Sequence, residues 1–264
     1  MPSTTRQIEF LHAMAKAAAK ETLAYFRLAL EVENKDKNGF DPVTVADRKT
    51  EQAIIDIITA NFPNHKLLSE EFNGDGALKE GSLSWVIDPI DGTRAYISGM
   101  PIWATLIGLY DGLTPVMGLM DQPFIGERFW AVDGNAYWRS NNIDKPIKTR
   151  SCADISQATL ATTAHHFFEA PEVAPIWHAI SNAAKLTRYG GDSYNYVLLA
   201  AGHIDVVIER DLHPYDILPL RPIIEGAGGI VTDWQGNPVI AGGHVIACGD
   251  KTLHAKILNM INAA

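Results

Sequence analysis

The stretch SEEFNGDGALKEGSLSWVIDPIDGTRAYISG, residues 69–99, gathers carboxylates around one apolar strand and one tight turn. Its apolar run before Asp88 is typical of a buried strand, and Pro89 is expected to end regular strand pairing there. Asp91 and Gly92 then turn the chain. Two residues, Pro89 and Ile90, separate Asp88 from Asp91. Both carboxylates can therefore reach one hard cation such as Mg²⁺, which prefers oxygen ligands. The stretch therefore predicts a cation site at a strand end.

Other carboxylates occupy similar positions, and each has an ordinary structural explanation when taken alone. Glu70 and Glu71 follow the predicted strand HKLLS, but a Glu-Glu pair is usually a solvated surface pair. Asp47, in DPVTVADRKTE, suits the dipole of a first helical turn, and Asp216, in HPYDILPLRPIIEGAGG, is typical of a helix N-cap with Pro219 in the first turn. An isolated Asp-Gly pair is itself most often a plain turn. The functional prediction therefore depends on the whole set.

Two familiar motifs that use aspartates do not fit this stretch. DPIDGTRAYISG has Gly at the fifth position of an EF-hand loop and no Glu at the twelfth. The DxDx[TV] pattern of phosphoaspartate phosphatases needs one residue between its aspartates, whereas two residues separate Asp88 from Asp91. The sequence excludes both motifs.

Composition and charge narrow the class of protein. The chain has 264 residues, 47% hydrophobic and 20% charged, which permits one large domain or two of ordinary size. Its formal net charge of −9 argues against binding to nucleic acid or anionic lipid, since those surfaces need clustered Lys and Arg. A phosphorylated small molecule stays compatible with this charge if bound cations or backbone N–H groups overcome the acidic field locally.

The spacing of the cysteines and the first ten residues indicate the cellular compartment of the protein. Cys152 and Cys248 match no CxxC or metal-ligand spacing, so two buried thiols are expected rather than a disulfide framework or a zinc site. The opening MPSTTRQIEF lacks the basic start and long apolar run of a signal peptide, and no stretch reaches membrane-spanning length. We therefore expect a cytoplasmic protein.

The hydrophobic pattern predicts two helices followed by a run of short strands. Helical spacing of apolar residues covers residues 4–30 and 46–60. Short apolar or alternating runs separated by turn signals then predict an antiparallel meander with strands at LSWVID, TLIGLYD, TPVMGLMDQP, ERFWAVD and NAYWRS.

The pattern changes after about residue 147. The helical segments APIWHAISNAA and DSYNYVLLAAG alternate there with the strand candidates ATLATTA, AKLTR, HIDVVIE and GIVTDW. We therefore predict an N-terminal half, residues 1–146, with the helices, the antiparallel sheet and most of the acids. A C-terminal α/β half, residues 147–264, carries Asp192, Glu209 and Asp216.

Four segments together resemble the inositol monophosphatase-like superfamily of Mg²⁺-dependent, lithium-sensitive phosphatases: DPVTVADRKTE, LLSEE, WVIDPIDGTRAYISG and HPYDILPLRPIIEGAGGIVTDWQG. The similarity extends over essentially the whole chain. It implies a layered αβαβα sandwich of mixed α+β and α/β character, with an antiparallel meander half and a smaller α/β half that meet over the metals. It also implies a homodimer.

The resemblance implies two to three Mg²⁺ ions per subunit. Glu70, Asp88 and the backbone carbonyl of Ile90 would hold the first ion. Asp88, Asp91 and Asp216 would hold the second, and a third, weaker ion would lean on Glu70. Inositol-type members carry a loop lysine where this chain has Asp36, and either neighbouring lysine, Lys35 or Lys37, could replace it through a one-residue shift of the loop.

The resemblance also implies direct in-line attack of water on the phosphate, with no phosphoenzyme. Thr93, paired with Asp47, would orient the water and help to deprotonate it, and Glu70 belongs with them among the catalytic residues. The N–H groups of Gly92 and Thr93 would cradle the phosphate. Asp216 would also border the bound substrate.

Within the superfamily, DGTRAYISG, QPFIGERFWA and YGGDSYNYVLLAAGHIDVVIE look most like the histidinol-phosphate phosphatase branch. Histidinol phosphate carries an ammonium and a basic imidazole, and the Asp192 carboxylate can pair with either cation. Asp192 can instead be a helix N-cap. Glu209 matches the family position that contacts the leaving group. Arg94 belongs to the expected substrate contacts and has three open roles: bracing the phosphate, pairing with an acid near the metals, or reaching a dimer interface.

The leading hypothesis is hydrolysis of L-histidinol phosphate to L-histidinol and orthophosphate, a late step of histidine biosynthesis. The nearest alternative is the same chemistry on inositol monophosphate or on a broad set of sugar and nucleotide monophosphates. A regulator that binds metal or phosphate without catalysis is an alternative of another class. It predicts a damaged ligand set, whereas every acid of the set is present.

Overall fold

The computed structural model describes residues 4–29, 31–35, 42–72 and 78–263. The α-helices in these ranges are α1 Thr4–Tyr25, α2 Val45–Asn61, α3 Thr93–Ile97, α4 Ala174–Ala183, α5 Ser193–Ala200, α6 Pro214–Ile217, α7 Arg221–Gly226 and α8 Lys251–Asn262. Asp36 and Lys37, two residues of the loop-lysine comparison, lie outside the described ranges.

The strands form one small hairpin and two sheets. The hairpin pairs β1 Glu33–Asn34 with β2 Pro42–Val43. The seven-stranded large sheet contains, in spatial order, β3 Lys66–Ser69, β4 Leu83–Asp91, β5 Ala104–Asp111, β6 Thr114–Gln122, β7 Glu127–Val132, β8 Asn135–Ser140 and β9 Ile143–Pro146. The five-stranded small sheet consists of β10 Thr159–Thr162, β11 Leu186–Tyr189, β12 Val206–Leu212, β13 Ile230–Asp233 and β14 Gly243–Cys248.

The large sheet is an antiparallel meander from β4 to β9, as predicted, and β3 joins it in parallel beside β4. In the small sheet β10 pairs in parallel with β11 and β12, and β14 runs antiparallel to β12 and β13. The small sheet therefore has the mixed α/β character expected for the second half. The predicted division after residue 146 falls at the end of β9 and stays a prediction.

The elements stack in five layers. Helices α1 and α2 cover the outer face of the large sheet, helices α5 to α7 lie between the two sheets, and α4 and α8 cover the far face of the small sheet. Strand β4 shows why its sequence is apolar without interruption: Trp85 and Ile87 face α1 and α2, whereas Val86 faces the middle layer. This is the αβαβα sandwich that the family resemblance implies.

Several element boundaries differ from the prediction. Helix α1 ends at Tyr25, because Arg27 has a φ of +64°, which an α-helix cannot contain; Leu30 lies outside the described ranges. Asp216 does not begin a helix. Helix α6 already starts at Pro214, and Pro219 separates it from α7.

Two other expectations concern membrane-spanning helices and the two cysteines. Within the part of the chain that the structure describes, no helix is long and apolar enough to cross a membrane. Cys248 is buried, as expected, but Cys152 is only partly buried, and both are free thiols.

Candidate metal centre and active site

The end of β4 brings Asp88 and Asp91 to the same side of the large sheet. Asp88 lies opposite Leu106 of β5, but Asp91 lies opposite Ala104, so three steps along β4 match only two along β5. Side chains three residues apart in a regular strand point to opposite faces of the sheet. The one extra residue of β4 brings the side chains of Asp88 and Asp91 to the same face. Regular pairing is therefore disturbed after Asp88, as predicted from Pro89, but the prediction that β4 ends there is wrong, since β4 continues to Asp91 and pairs with β5 again. The disturbance is what makes the two carboxylates converge.

Asp216 approaches the same point from the other half of the chain. It lies in α6, directly after β12, and its Oδ2 accepts a hydrogen bond of 2.7 Å from the N–H of His213. One carboxylate oxygen from each of Asp88, Asp91 and Asp216 lies within 4.8 Å of the others. We call these three residues the aspartate cluster. It matches the set that the family resemblance implies for the second ion.

Burial and mutual repulsion raise the pKa values of the cluster. Burial is the largest cause for Asp88, followed by the charges of Glu70, Asp91 and Asp216, and its pKa lies well above the usual range. Burial and the charge of Asp192 raise the pKa of Asp91 to about 7, and burial and Asp91 raise that of Asp216. Asp88 is buried and Asp91 and Asp216 are partly buried. Three acids so close together repel one another, so a divalent cation would relieve the repulsion.

The donor set fits a hard divalent cation. The ligand atoms are carboxylate oxygens, which Mg²⁺ and Ca²⁺ prefer over nitrogen or sulfur. Asp88 is only 2% exposed, and its Oδ1 has no hydrogen-bond partner among the described residues. A buried carboxylate oxygen without a donor is costly unless a cation satisfies it. The residues present therefore suit the metal that the sequence predicts.

Glu70 and Glu71 form the next layer of this acidic region. Neither is a fully solvated surface residue, since their side chains are only 13% and 6% exposed. Lys35 Nζ lies 2.7 Å from Glu70 Oε1 and 2.9 Å from Glu71 Oε1, so Lys35 is a lysine that reaches this region. Glu70 also raises the pKa of Asp88 through its charge and a hydrogen bond, which places it beside the aspartate cluster.

Glu51 also belongs to this region and is not among the residues predicted from the sequence. Its two carboxylate oxygens accept the N–H groups of Glu71 and Phe72, each at 2.9 Å, and it is fully buried in α2. Glu51 therefore fixes the turn that follows β3 and presents Glu70. Its position four residues after Asp47, on the same helix face, was the available signal.

The predicted hydrogen bond between Thr93 and Asp47 is not formed in this structure. The Thr93 hydroxyl donates to the carbonyl of Ile90 at 2.9 Å, because the interrupted pairing leaves that carbonyl without a strand partner. Asp47 Oδ2 accepts both the N–H and the hydroxyl of Thr44 at 2.7 Å, which makes Asp47 the first-turn capping acid of α2. Asp47 Oδ1 is buried without a partner in the described ranges, and burial raises the pKa of Asp47 to about 7.

The start of α5 brings the small-sheet half onto the Asp-Gly turn. The N–H of Ser193 donates to Asp91 Oδ2 at 2.8 Å. Asp192 occupies the N-cap position with φ +45° and ψ −134°, but its carboxylate makes no capping hydrogen bond. It packs against Gly92 instead, where an added Cβ would lie 3.1 Å from Asp192 Oδ2. The N-cap explanation of Asp192 is therefore wrong in its essential part, the capping contact.

Two opposing effects act on the charge of Asp192. Burial raises its pKa to about 6, and the positive charge of Arg94 acts in the opposite direction. Arg94 is thus near enough to Asp192 to influence its charge, although its side chain lies at the surface. An aspartate held at a left-handed φ is unusual, and such strain is commonly retained at functional sites.

Glu209 lies near Asp192, and both of its carboxylate oxygens already accept hydrogen bonds. Its Oε1 accepts the N–H and hydroxyl of Thr163 at 2.6 and 2.9 Å, and its Oε2 accepts the hydroxyl of Thr162 at 3.2 Å. It is 1% exposed, and burial raises its pKa to about 7. In this structure Glu209 ties the middle of β12 to the end of β10, and its contact with a leaving group stays a prediction.

A second connection that the sequence did not reveal anchors α5 on the large sheet. The hydroxyl of Tyr194 donates to Glu127 Oε2, and Trp138 Nε1 donates to Glu127 Oε1 at 3.1 Å. Glu127 thus joins β7 and β8 to the first turn of α5. This anchor holds Asp192 and Ser193 against the Asp-Gly turn.

Replacing Gly92 by alanine is expected to remove most of the activity while lowering stability by only about 1 kcal/mol. Gly92 has a φ of +76°, and its added Cβ would press on the Asp192 carboxylate. Gly134→Ala is the matched control, since Gly134 has a φ of +70° with open space around it. Both variants should lose similar stability in thermal denaturation. Equal activity in the two variants would contradict a functional contact between Gly92 and Asp192.

Comparisons with known proteins agree with this geometry. The model of the inositol monophosphatase family matches residues 4–264. The bifunctional phosphatase IMPL2, chloroplastic, of Arabidopsis thaliana is 38% identical over 95% of this chain and 73% of its own length. A histidinol-phosphatase of Streptomyces coelicolor is 30% identical over 99% of both chains. The solved inositol monophosphatase from Zymomonas mobilis is 37% identical, with a TM-score of 0.85 over 99% of this chain and all of its own. The chain therefore belongs to the inositol monophosphatase family, whose members are metal-dependent phosphatases.

Proposed function

We propose that this phosphatase uses Mg²⁺ to hydrolyse L-histidinol phosphate to L-histidinol and orthophosphate. The observation that carries the choice of substrate is Asp192, whose carboxylate packs on Gly92 beside the aspartate cluster. A substrate with a phosphate at one end and an ammonium and imidazole at the other can place its phosphate at the metals and a cation on Asp192. A neutral cyclitol phosphate has no charge for that carboxylate to pair with. The name of the Streptomyces coelicolor relative supports the same substrate.

The acids of the site would hold the ions in two sets. The aspartate cluster would hold one ion, and Glu70, Asp88 and the Ile90 carbonyl would hold the other. When bound, such ions lower the pKa of a bound water and neutralise charge on the phosphoryl and leaving oxygens. Asp88 belongs to both sets, which makes it the residue on which the proposal depends most.

Other residues would orient the reactants. The N–H groups of Gly92 and Thr93 lie at the start of α3 and would donate to the phosphate oxygens. The Thr93 hydroxyl would orient the attacking water after leaving the Ile90 carbonyl, and Asp47 Oδ1 is a buried acceptor for a proton in that region. The water oxygen bonds to phosphorus as the ester bond breaks, and the leaving alkoxide takes up a proton. A homodimer and a cytoplasmic location belong to the same proposal.

Hydrolysis of inositol monophosphate is the second candidate. It is favoured by the Zymomonas mobilis structure, which is named an inositol monophosphatase and is more similar in sequence than the Streptomyces coelicolor relative. Release of orthophosphate from L-histidinol phosphate, inositol 1-phosphate and adenosine 3′,5′-bisphosphate, at matched concentrations with Mg²⁺ or EDTA, separates the candidates. A Mg²⁺-dependent preference for histidinol phosphate supports the proposal. Comparable rates on all three esters would contradict it and indicate a broad phosphatase.

Asp192→Asn is expected to lower kcat/KM for histidinol phosphate about thirtyfold, equivalent to about 2 kcal/mol for a lost charge-assisted hydrogen bond. The rate on inositol 1-phosphate should stay nearly unchanged, because that leaving group carries no cation. Asp111→Asn, at an exposed position at the end of β5, is the control for a surface charge change. Equal losses on both substrates would assign Asp192 a structural role instead.

A further inference from the structure

The aspartate cluster depends on how closely the middle layer approaches the large sheet. Asp88 and Asp91 belong to β4, whereas Asp216 belongs to α6, which follows β12 of the small sheet. Three oxygens can lie within 4.8 Å of one another only if the segment after Asp216 is held at a fixed depth on the large sheet. The residues that set this depth are therefore part of the metal centre without touching the metal.

Two glycines permit this close approach. Gly108 of β5 and Gly118 of β6 lie directly opposite each other in the strand register. A Cβ on Gly118 would overlap the carbonyl oxygen of Pro219 and lie 2.6 Å from Pro222 Cγ, and one on Gly108 would lie 3.0 Å from Pro219 Cα. Neither glycine has a left-handed φ. Space, and not backbone conformation, is therefore what requires glycine at both positions.

A buried hydrogen bond fixes the same segment. Tyr110 follows Gly108 by two residues on β5, which places both on the inner face of the sheet. Its hydroxyl donates to the carbonyl of Leu218 at 2.9 Å, and its side chain is fully buried. Leu218 and Pro219 follow Asp216 by two and three residues. We call Gly108, Tyr110 and Gly118 the docking patch.

We propose that the docking patch positions Asp216 for metal binding. Gly108 and Gly118 have no side chains, which sets how closely the chain after α6 approaches the large sheet. The hydrogen bond from the Tyr110 hydroxyl sets the position of that chain along β5. The patch acts only through Asp216, so its three members are positioning residues. The inference rests on the proposed role of Asp216 as a metal ligand.

The test is calorimetric titration of the purified full-length protein with Mg²⁺, together with thermal denaturation. Gly118→Ala is expected to weaken Mg²⁺ binding at least about tenfold, in the range seen when residues that orient metal ligands are replaced. Tyr110→Phe removes only the hydroxyl and should weaken binding about fivefold to tenfold, so it serves if Gly118→Ala does not fold.

Gly229→Ala is the matched control for a steric clash that lies outside the docking patch. An added Cβ on Gly229 would lie 2.8 Å from Ile224 Cγ2 and 3.0 Å from the Cys248 carbonyl, between α7 and the small sheet. This variant should lose thermal stability and keep the wild-type Mg²⁺ affinity. Asp216→Asn, measured in parallel, tests the ligand role itself.

The outcomes separate the two proposals. If Asp216→Asn weakens Mg²⁺ binding and the docking-patch variants fold with wild-type affinity, the docking inference is wrong and the ligand assignment stands. If Asp216→Asn leaves the affinity unchanged, the ligand assignment fails and the inference fails with it. Loss of affinity in Gly118→Ala or Tyr110→Phe, but not in Gly229→Ala, supports the docking patch.

Discussion

Asp88→Asn is expected to lower kcat at saturating Mg²⁺ about a thousandfold, equivalent to about 4 kcal/mol of transition-state stabilisation. Asparagine keeps the shape of the side chain but removes its negative charge. Asp88 is the one residue proposed for both ions, and it is buried at the interruption of β4. The loss should therefore exceed that of any variant of the surrounding acids. Steady-state phosphate release over a range of Mg²⁺ concentrations measures it.

The control for Asp88→Asn is another buried aspartate with a different partner. Asp121 of β6 is 3% exposed and forms an ion pair of 2.7 Å with Arg128, on the face of the sheet that packs against α1. Asp121→Asn should lower stability and leave kcat near that of the wild type. Near-normal turnover of Asp88→Asn at saturating Mg²⁺ would refute the two-ion assignment.

Asp91→Asn is expected to stabilise the metal-free protein while it lowers the activity of the enzyme, by less than Asp88→Asn does. The charge of Asp91 is held in a partly buried site next to other acids, and its pKa is raised to about 7. Asparagine removes the charge and can still accept the N–H of Ser193. At pH 8 in EDTA the free energy of unfolding should rise by about 2 kcal/mol, and Tm by about 5 °C.

The sign of the pH dependence follows from the raised pKa. The folded state binds a proton at Asp91 near pH 7, whereas the unfolded chain binds it only near pH 4. The metal-free wild type should therefore become more stable as pH falls from 8 to 5, and Asp91→Asn should show a shallower rise. Mg²⁺ binding should weaken over the same range, since the ligands must lose their protons. Thermal denaturation in EDTA at pH 8 and pH 6 checks this. A less stable Asp91→Asn protein at pH 8 would contradict the repulsion argument.

The sheet was predictable where a strand has a simple pattern. Strands β4 to β8 are apolar or alternating and are separated by Gly-containing or Pro-containing turns, so their positions follow from local signals. Local signals also place α2, α4 and α5 within a few residues. The end of α1 was not predictable, because apolar residues continue the helical spacing beyond the left-handed Arg27.

The members of the aspartate cluster were predictable, and their geometry only in part. The resemblance named Asp88, Asp91 and Asp216, and the position of Pro89 indicated interrupted pairing. The roles of Glu51 and Glu127 depend on contacts between distant segments, which a single sequence does not contain. The docking patch is hidden for the same reason, since Gly108 and Gly118 resemble any glycine in a strand until Pro219 lies against them.

Crystals of the full-length protein soaked in Mn²⁺ test the central claim, metal binding by the aspartate cluster, most directly. Mn²⁺ shares the preference of Mg²⁺ for carboxylate oxygen and gives an anomalous signal. The account predicts an anomalous peak about 2.0–2.5 Å from carboxylate oxygens of Asp88, Asp91 and Asp216. Anomalous peaks elsewhere with none at these three residues, at a Mn²⁺ concentration that supports phosphate release in solution, would contradict it.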